Sequence, residues 1–125
     1  MTDGALTVAV IDDDVSVRRG LGRLLRSVGY QVLTFSSADD FLNHSGPDSP
    51  SCLVLDVSMP GRTGVRLHED LISAGRVVPV VFITGHGDSA MAASAAKSGT
   101  YEVLSKPFED DVLIGAIQRA IARRP

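Results

Sequence analysis

Cys52-Leu53-Val54-Leu55-Asp56 decides the reading of this chain, because four apolar residues run directly into an ionised carboxylate. A charge abutting a hydrophobic strand needs a partner. Working outward, three more apolar runs end in a reactive group. Leu6-Thr7-Val8-Ala9-Val10-Ile11 stops at Asp12-Asp13-Asp14, Val78 to Ile83 stops at Thr84, and Tyr101 to Ser105 stops at Lys106-Pro107. Parallel neighbouring strands would bring these ends together in one crevice lined by acids, a hydroxyl and an ammonium. Such a crevice suits a metal ion and a phosphoryl group.

Stretches of helical period separate the strands. Val17, Leu21, Leu24 or Leu25, and Val28 form one face of a first helix that Gly29 ends. Ser37 caps a second, which holds Ala38, Phe41 and Leu42 before the breaker run Ser45 to Pro50. A third carries Val65, His68, Leu71 and Ile72 and stops at Gly75. A fourth begins near Asp88 or Ser89 and ends at Lys97-Ser98-Gly99; with Met91 as its one large apolar residue, it should grip the core weakly. The last opens on Glu109-Asp110-Asp111 and closes on Arg123-Arg124, both ends matched to the helix dipole.

Strands alternating with helices predict an α/β, doubly wound parallel sheet with helices on both faces. The runs ending at Ile11, Leu55 and Ile83 are almost wholly apolar, as central strands must be. Tyr30 to Phe35 and Tyr101 to Ser105 mix polar with apolar residues and belong at the edges. That gives the order 2-1-3-4-5, whose switch point falls between the first and third strands, where Asp12, Asp13 and Asp56 meet.

The 125 residues suffice for one core and one domain, 1–125. A net charge of −3 gives no basic footprint, so direct nucleic-acid binding is not expected. Arg18, Arg19, Arg23 and Arg26 cluster at helical spacing and read as a wet helix face rather than a phosphate-backbone patch. The lone Cys52 excludes an intrachain disulfide and reads as a small buried hydrophobe. No basic apolar leader or spanning run occurs, so a cytoplasmic setting is expected and membrane association is not.

Three crowded carboxylates cannot all ionise cheaply without a cation. An all-oxygen donor set favours Mg²⁺ or Mn²⁺ over zinc. Asp14 is expected to cap the first helix instead. With a cation and Lys106 screening the charge, a carboxylate can attack phosphorus, while the Thr84 hydroxyl and the Gly85 amide can donate to phosphoryl oxygens.

Val10-Ile11-Asp12-Asp13-Asp14, Leu53-Val54-Leu55-Asp56-Val57-Ser58-Met59-Pro60-Gly61, Phe82-Ile83-Thr84-Gly85 and Lys106-Pro107-Phe108 together resemble the receiver domains of two-component response regulators, which have the flavodoxin-like (CheY-like) fold. Phe82 to Asp88 is similar to the FixJ-type branch, whose full-length members carry a C-terminal helix-turn-helix domain. The resemblance implies a regulatory domain rather than an enzyme, one that assists its own phosphorylation and dephosphorylation. It makes Asp56 the acceptor of a phosphoryl group from a sensor histidine kinase. It also implies Mg²⁺ held by Asp13, Asp56 and the Ser58 carbonyl with Asp12 acting through water, phosphate contacts from Lys106, and a cis Lys106–Pro107 bond. Thr84 would close on the phosphorylated site and shift the surface of the fourth helix, fifth strand and last helix, where phosphorylation can drive homodimerisation. DNA would be reached only through an output domain outside this sequence, which is expected to be either a fragment of a transcription regulator or a free-standing receiver. Val103 stands where the family usually has a switch aromatic, and Tyr101, on the same strand face, is a candidate replacement.

Rival readings fit less well. A haloacid-dehalogenase-type phosphatase needs a second acid two residues after its nucleophile, where this chain has Ser58. A flavin or nucleotide carrier needs a glycine-rich phosphate loop after the first strand, but acids stand there, and Gly20-Leu21-Gly22 lies inside the first helix. A receiver that works without phosphorylation would leave the full set of reactive groups unused.

Overall fold

The computed structural model describes residues 6–44, 50–59, 61–85 and 102–123. The strands are β1 (Thr7–Ile11), β2 (Gln31–Phe35), β3 (Cys52–Asp56), β4 (Val80–Thr84) and β5 (Glu102–Ser105), all parallel in the order 2-1-3-4-5. The helices are α1 (Val15–Ser27), α2 (Ala38–Leu42), α3 (Gly64–Ser73) and α4 (Asp110–Arg123). The helix predicted from Asp88 to Gly99 and the residue Tyr101 lie outside the described residues.

Strand parity divides the core into two layers. Ala9, Ile11, Leu53, Leu55, Val80 and Phe82 face α2 and α3, where they meet Phe41, Leu67 and Leu71. Val8, Val10, Cys52, Val54, Val81 and Ile83 face α1 and α4, against Leu25, Leu113 and Ile117. β3 and β4 are buried at every position, whereas β2 and β5 are largely open, as their mixed composition predicts. Cys52 is fully buried, and burial pushes its thiol up to about 12, so it behaves as an apolar filler. Ser37 caps α2 as expected, and Gly29 and Gly75 take positive φ of 101° and 76° where α1 and α3 end.

The phase of α3 differs from the sequence expectation. The stripe Gly64, Leu67, His68 and Leu71 is buried, while Ile72 remains 49% exposed. Gly64 sets this phase, because its amide donates to the Val57 carbonyl at 3.1 Å and a Cβ there would overlap the Asp56 carbonyl. The helix start is thus pressed against the end of β3, which rotates Leu67 inward and Ile72 outward. His68 is buried, edge-on to Phe82 with ring centroids 5.6 Å apart.

Candidate functional site

Register brings the strand ends together. Ile11 pairs with Leu55, Asp56 with Ile83, and Thr84 with Ser105, so Asp12, Asp56, Thr84 and Lys106 follow one another across the carboxyl edge of four strands. Backbone pairing continues past the strands, since Asp12 N donates to Phe35 O at 3.1 Å, Val57 N to Ile83 O at 3.0 Å, and Lys106 N to Thr84 O at 2.8 Å. These bonds fix the Cα positions from which the side chains project.

Asp12, Asp13 and Asp56 each present a carboxylate oxygen within 4.8 Å of the others. Asp12 and Asp56 are buried and Asp13 is exposed, so the cluster has one side open to water. One oxygen of each buried acid is held by the backbone: Asp14 N donates to Asp12 Oδ1 at 2.9 Å, and Ser58 N to Asp56 Oδ1 at 3.1 Å. Among the described residues Asp12 Oδ2 is buried with no hydrogen-bond donor. The Lys106 ammonium stands 3.6 Å from it, close enough for attraction but beyond hydrogen-bond reach. Asp14 faces away, its Oδ1 accepting from Ser16 N at 2.8 Å and Val17 N at 3.3 Å as the α1 cap.

The electrostatics follow from this arrangement. Burial raises the Asp56 pKa from its ordinary value to about 6, and the Asp12 and Asp13 charges push it the same way against the Ser58 amide and Lys106. Burial likewise raises Asp12, aided by Asp13 and Asp14 and opposed by the Asp14 amide and Lys106. One lysine therefore leaves negative charge uncompensated in the pocket. The orphaned Asp12 oxygen, the all-oxygen donors and the open side fit a hard divalent cation.

Thr84 is buried, and its Oγ1 lies 3.4 Å from Ser105 Oγ on β5, a long and weak hydrogen bond. Gly85 follows it at the same edge and is half-buried. Ser58 is exposed beside Asp56. The Lys106–Pro107 bond is cis. Val103 is half-buried against the α2/α3 layer.

Two participants were not foreseen from the sequence. Arg18 is not solely a wet-face residue, since its Nη1 donates to the Asp12 carbonyl at 2.7 Å and steadies the acidic turn. Ser105 is the partner of Thr84. Neither has a sequence signal, because both depend on which way a side chain swings.

A parallel sheet of this order with acids, a hydroxyl and a lysine at its carboxyl edge defines a doubly wound α/β module with an acidic crevice at its switch point. The response regulator receiver domain profile matches residues 8–118, and the chain belongs to that family. It is 46% identical over 116 residues to Nodulation protein W of Bradyrhizobium diazoefficiens, covering 93% of this chain and 51% of that protein. To the Transcriptional regulatory protein FixJ of the same organism it is 41% identical over 114 residues, covering 91% of this chain and 56% of the other. The crystal structure of FixJ-N superposes with a TM-score of 0.88 at 38% identity, covering 100% of this chain and 98% of that one. The chain spans about half the length of these two curated relatives. Among the described residues no helix is long and apolar enough to cross a membrane.

Proposed function

We propose that Asp56 is the phosphoacceptor of a two-component signalling pathway and that its phosphorylation switches the surface containing β5 and α4. One observation carries this reading: Asp56 is buried beside two further carboxylates and one lysine at the switch point of the sheet, with its own pKa raised to about 6. Asp13, Asp56 and the Ser58 carbonyl would hold Mg²⁺ or Mn²⁺, with Asp12 acting through water. The bound cation supplies charge screening between the carboxylates and the incoming phosphoryl oxygens.

An Asp56 carboxylate oxygen attacks phosphorus as the phosphorus–nitrogen bond of the phosphohistidine in a sensor kinase breaks, leaving the imidazole to take up a proton. Lys106 neutralises phosphoryl charge, and the Gly85 amide donates to a phosphoryl oxygen. Thr84 leaves Ser105 to donate to the phosphoryl group, which exchanges a weak hydrogen bond for a charge-assisted one and biases β5. A groove of about 440 Å³, lined by Val17, Leu21, Leu24, Pro107 and Phe108 beside Lys106, supports apolar docking of the kinase next to the site. The domain itself is regulatory; control of transcription, through an output domain beyond these 125 residues, and a cytoplasmic setting complete the proposal.

Incubation with Mg²⁺ and acetyl phosphate, followed by intact-mass measurement, tests it. The chain should gain one phosphoryl group, and Asp56→Asn or excess chelator should abolish the gain. Undiminished labelling of Asp56→Asn would move the acceptor elsewhere.

A further inference from the structure

On the outer side of α1, away from the acid cluster, Val15, Arg18, Arg19, Arg26 and Thr34 line a cavity of about 250 Å³. Three guanidinium groups and a hydroxyl supply donors, and among the described residues no acidic side chain lines the space. Among the described residues Arg19 and Arg26 make no ion pair or side-chain hydrogen bond, and Arg18 uses a single N–H on the Asp12 carbonyl. Arg62, Arg66, Arg119 and Arg123 pair with carboxylates, whereas among the described residues Arg23 and Arg76, like Arg19 and Arg26, do not; what marks this cluster is that its arginines share one cavity.

Gly22 shows how Arg26 lies along α1. A glycine inside a helix costs about 1 kcal/mol relative to alanine. Here its missing Cβ leaves room for Arg26: an ideal Cβ at position 22 would stand 3.2 Å from Arg26 Nη1. Arg26 therefore folds back along α1 over Gly22, on the same helix face as Val15, Arg18 and Arg19, and Thr34 on β2 closes the far wall.

We propose that this cavity binds a small phosphate-bearing anion. Planar guanidiniums match phosphoryl oxygens in paired hydrogen bonds, and several converging on one small volume suit a compact dianion. A nucleic-acid duplex fits less well, because the domain carries a net charge of −3 and would meet a long polyanion with repulsion outside this patch. Arg18 lines the cavity and also donates to the Asp12 carbonyl, so an occupant is linked through Arg18 to the turn that carries the acid cluster.

The test is NMR titration of the labelled chain with inorganic phosphate, pyrophosphate and ADP, at fixed ionic strength in chelator so that the acid cluster holds no cation. Saturable shifts of the Arg18, Arg19 and Arg26 side-chain N–H signals and of the Thr34 amide are expected. Arg19→Gln and Arg26→Gln should each weaken binding about tenfold, the loss of one charge-assisted contact. Tighter binding of ADP than of pyrophosphate would assign a nucleotide, and equal binding would assign phosphate groups alone. The proposal fails if the shifts rise linearly and match those produced by chloride, if the variants bind as tightly as the parent, or if a DNA duplex binds saturably while the small anions do not.

Discussion

The acid cluster at the sheet edge and the arginine face of α1 carry opposite charge under opposite conditions. In the first Asp12 and Asp56 are buried with too little positive charge to balance them; in the second Arg19 and Arg26 are exposed with no carboxylate partner among the described residues. Solvent decides what each imbalance costs. Water screens the arginines, so their mutual repulsion is small. The acids have lost that screening, and the cost emerges as a carboxyl pKa near 6 at Asp56. A buried imbalance is a demand for a cation, whereas an exposed one is an offer to an anion.

The largest test of this contrast is the stability of Asp56→Asn in metal-free buffer. The parent's folded-state pKa is raised, so its folded form is favoured while Asp56 is protonated and loses stability as pH climbs from about 4 through about 6. Asn carries no charge to lose. The variant should therefore be more stable than the parent by about 2–3 kcal/mol at pH 7.5, with the gap narrowing toward pH 5, measured by urea unfolding. A gap of the same size at both pH values would mean that charge burial is not its origin.

Next in size is metal affinity. Asp13→Ala should weaken Mg²⁺ binding at least about tenfold by calorimetry, because it removes a charged oxygen from the cluster. Asp14→Ala should leave that affinity nearly unchanged while costing about 1 kcal/mol of stability through the lost cap. Equal losses of affinity in the two variants would break the distinction between cluster and cap. Arg19→Gln should shift stability by no more than about 0.5 kcal/mol, as an exposed unpaired charge allows. A cost of 2 kcal/mol or more would place Arg19 in the fold rather than on its surface.

The strand order and the gathering of Asp12, Asp13, Asp56 and Lys106 were legible in the sequence because composition and period act on the backbone. Uninterrupted apolar runs mark central strands, and whatever follows such a run stands at the sheet edge. Asp14 was legible for the same reason, lying where a helix begins. Ile72 was misplaced because both it and Leu67 satisfy a helical period from Leu71 or His68, and only the contact of Gly64 with the Asp56 carbonyl fixes the rotation. The Arg18 bond to Asp12, the Thr84–Ser105 pair and the fold-back of Arg26 over Gly22 were hidden, since each depends on rotamers that long or small side chains choose only in the packed molecule.

The carbon-13 titration of the Asp56 side-chain carboxyl, with and without Mg²⁺, tests most directly that the acid cluster is completed by a cation. The midpoint should lie near 6 in chelator and fall by at least about one unit when saturating Mg²⁺ is added, since a bound cation favours the ionised form. A midpoint near the ordinary aspartate value in chelator, or one that Mg²⁺ leaves in place, would contradict the account.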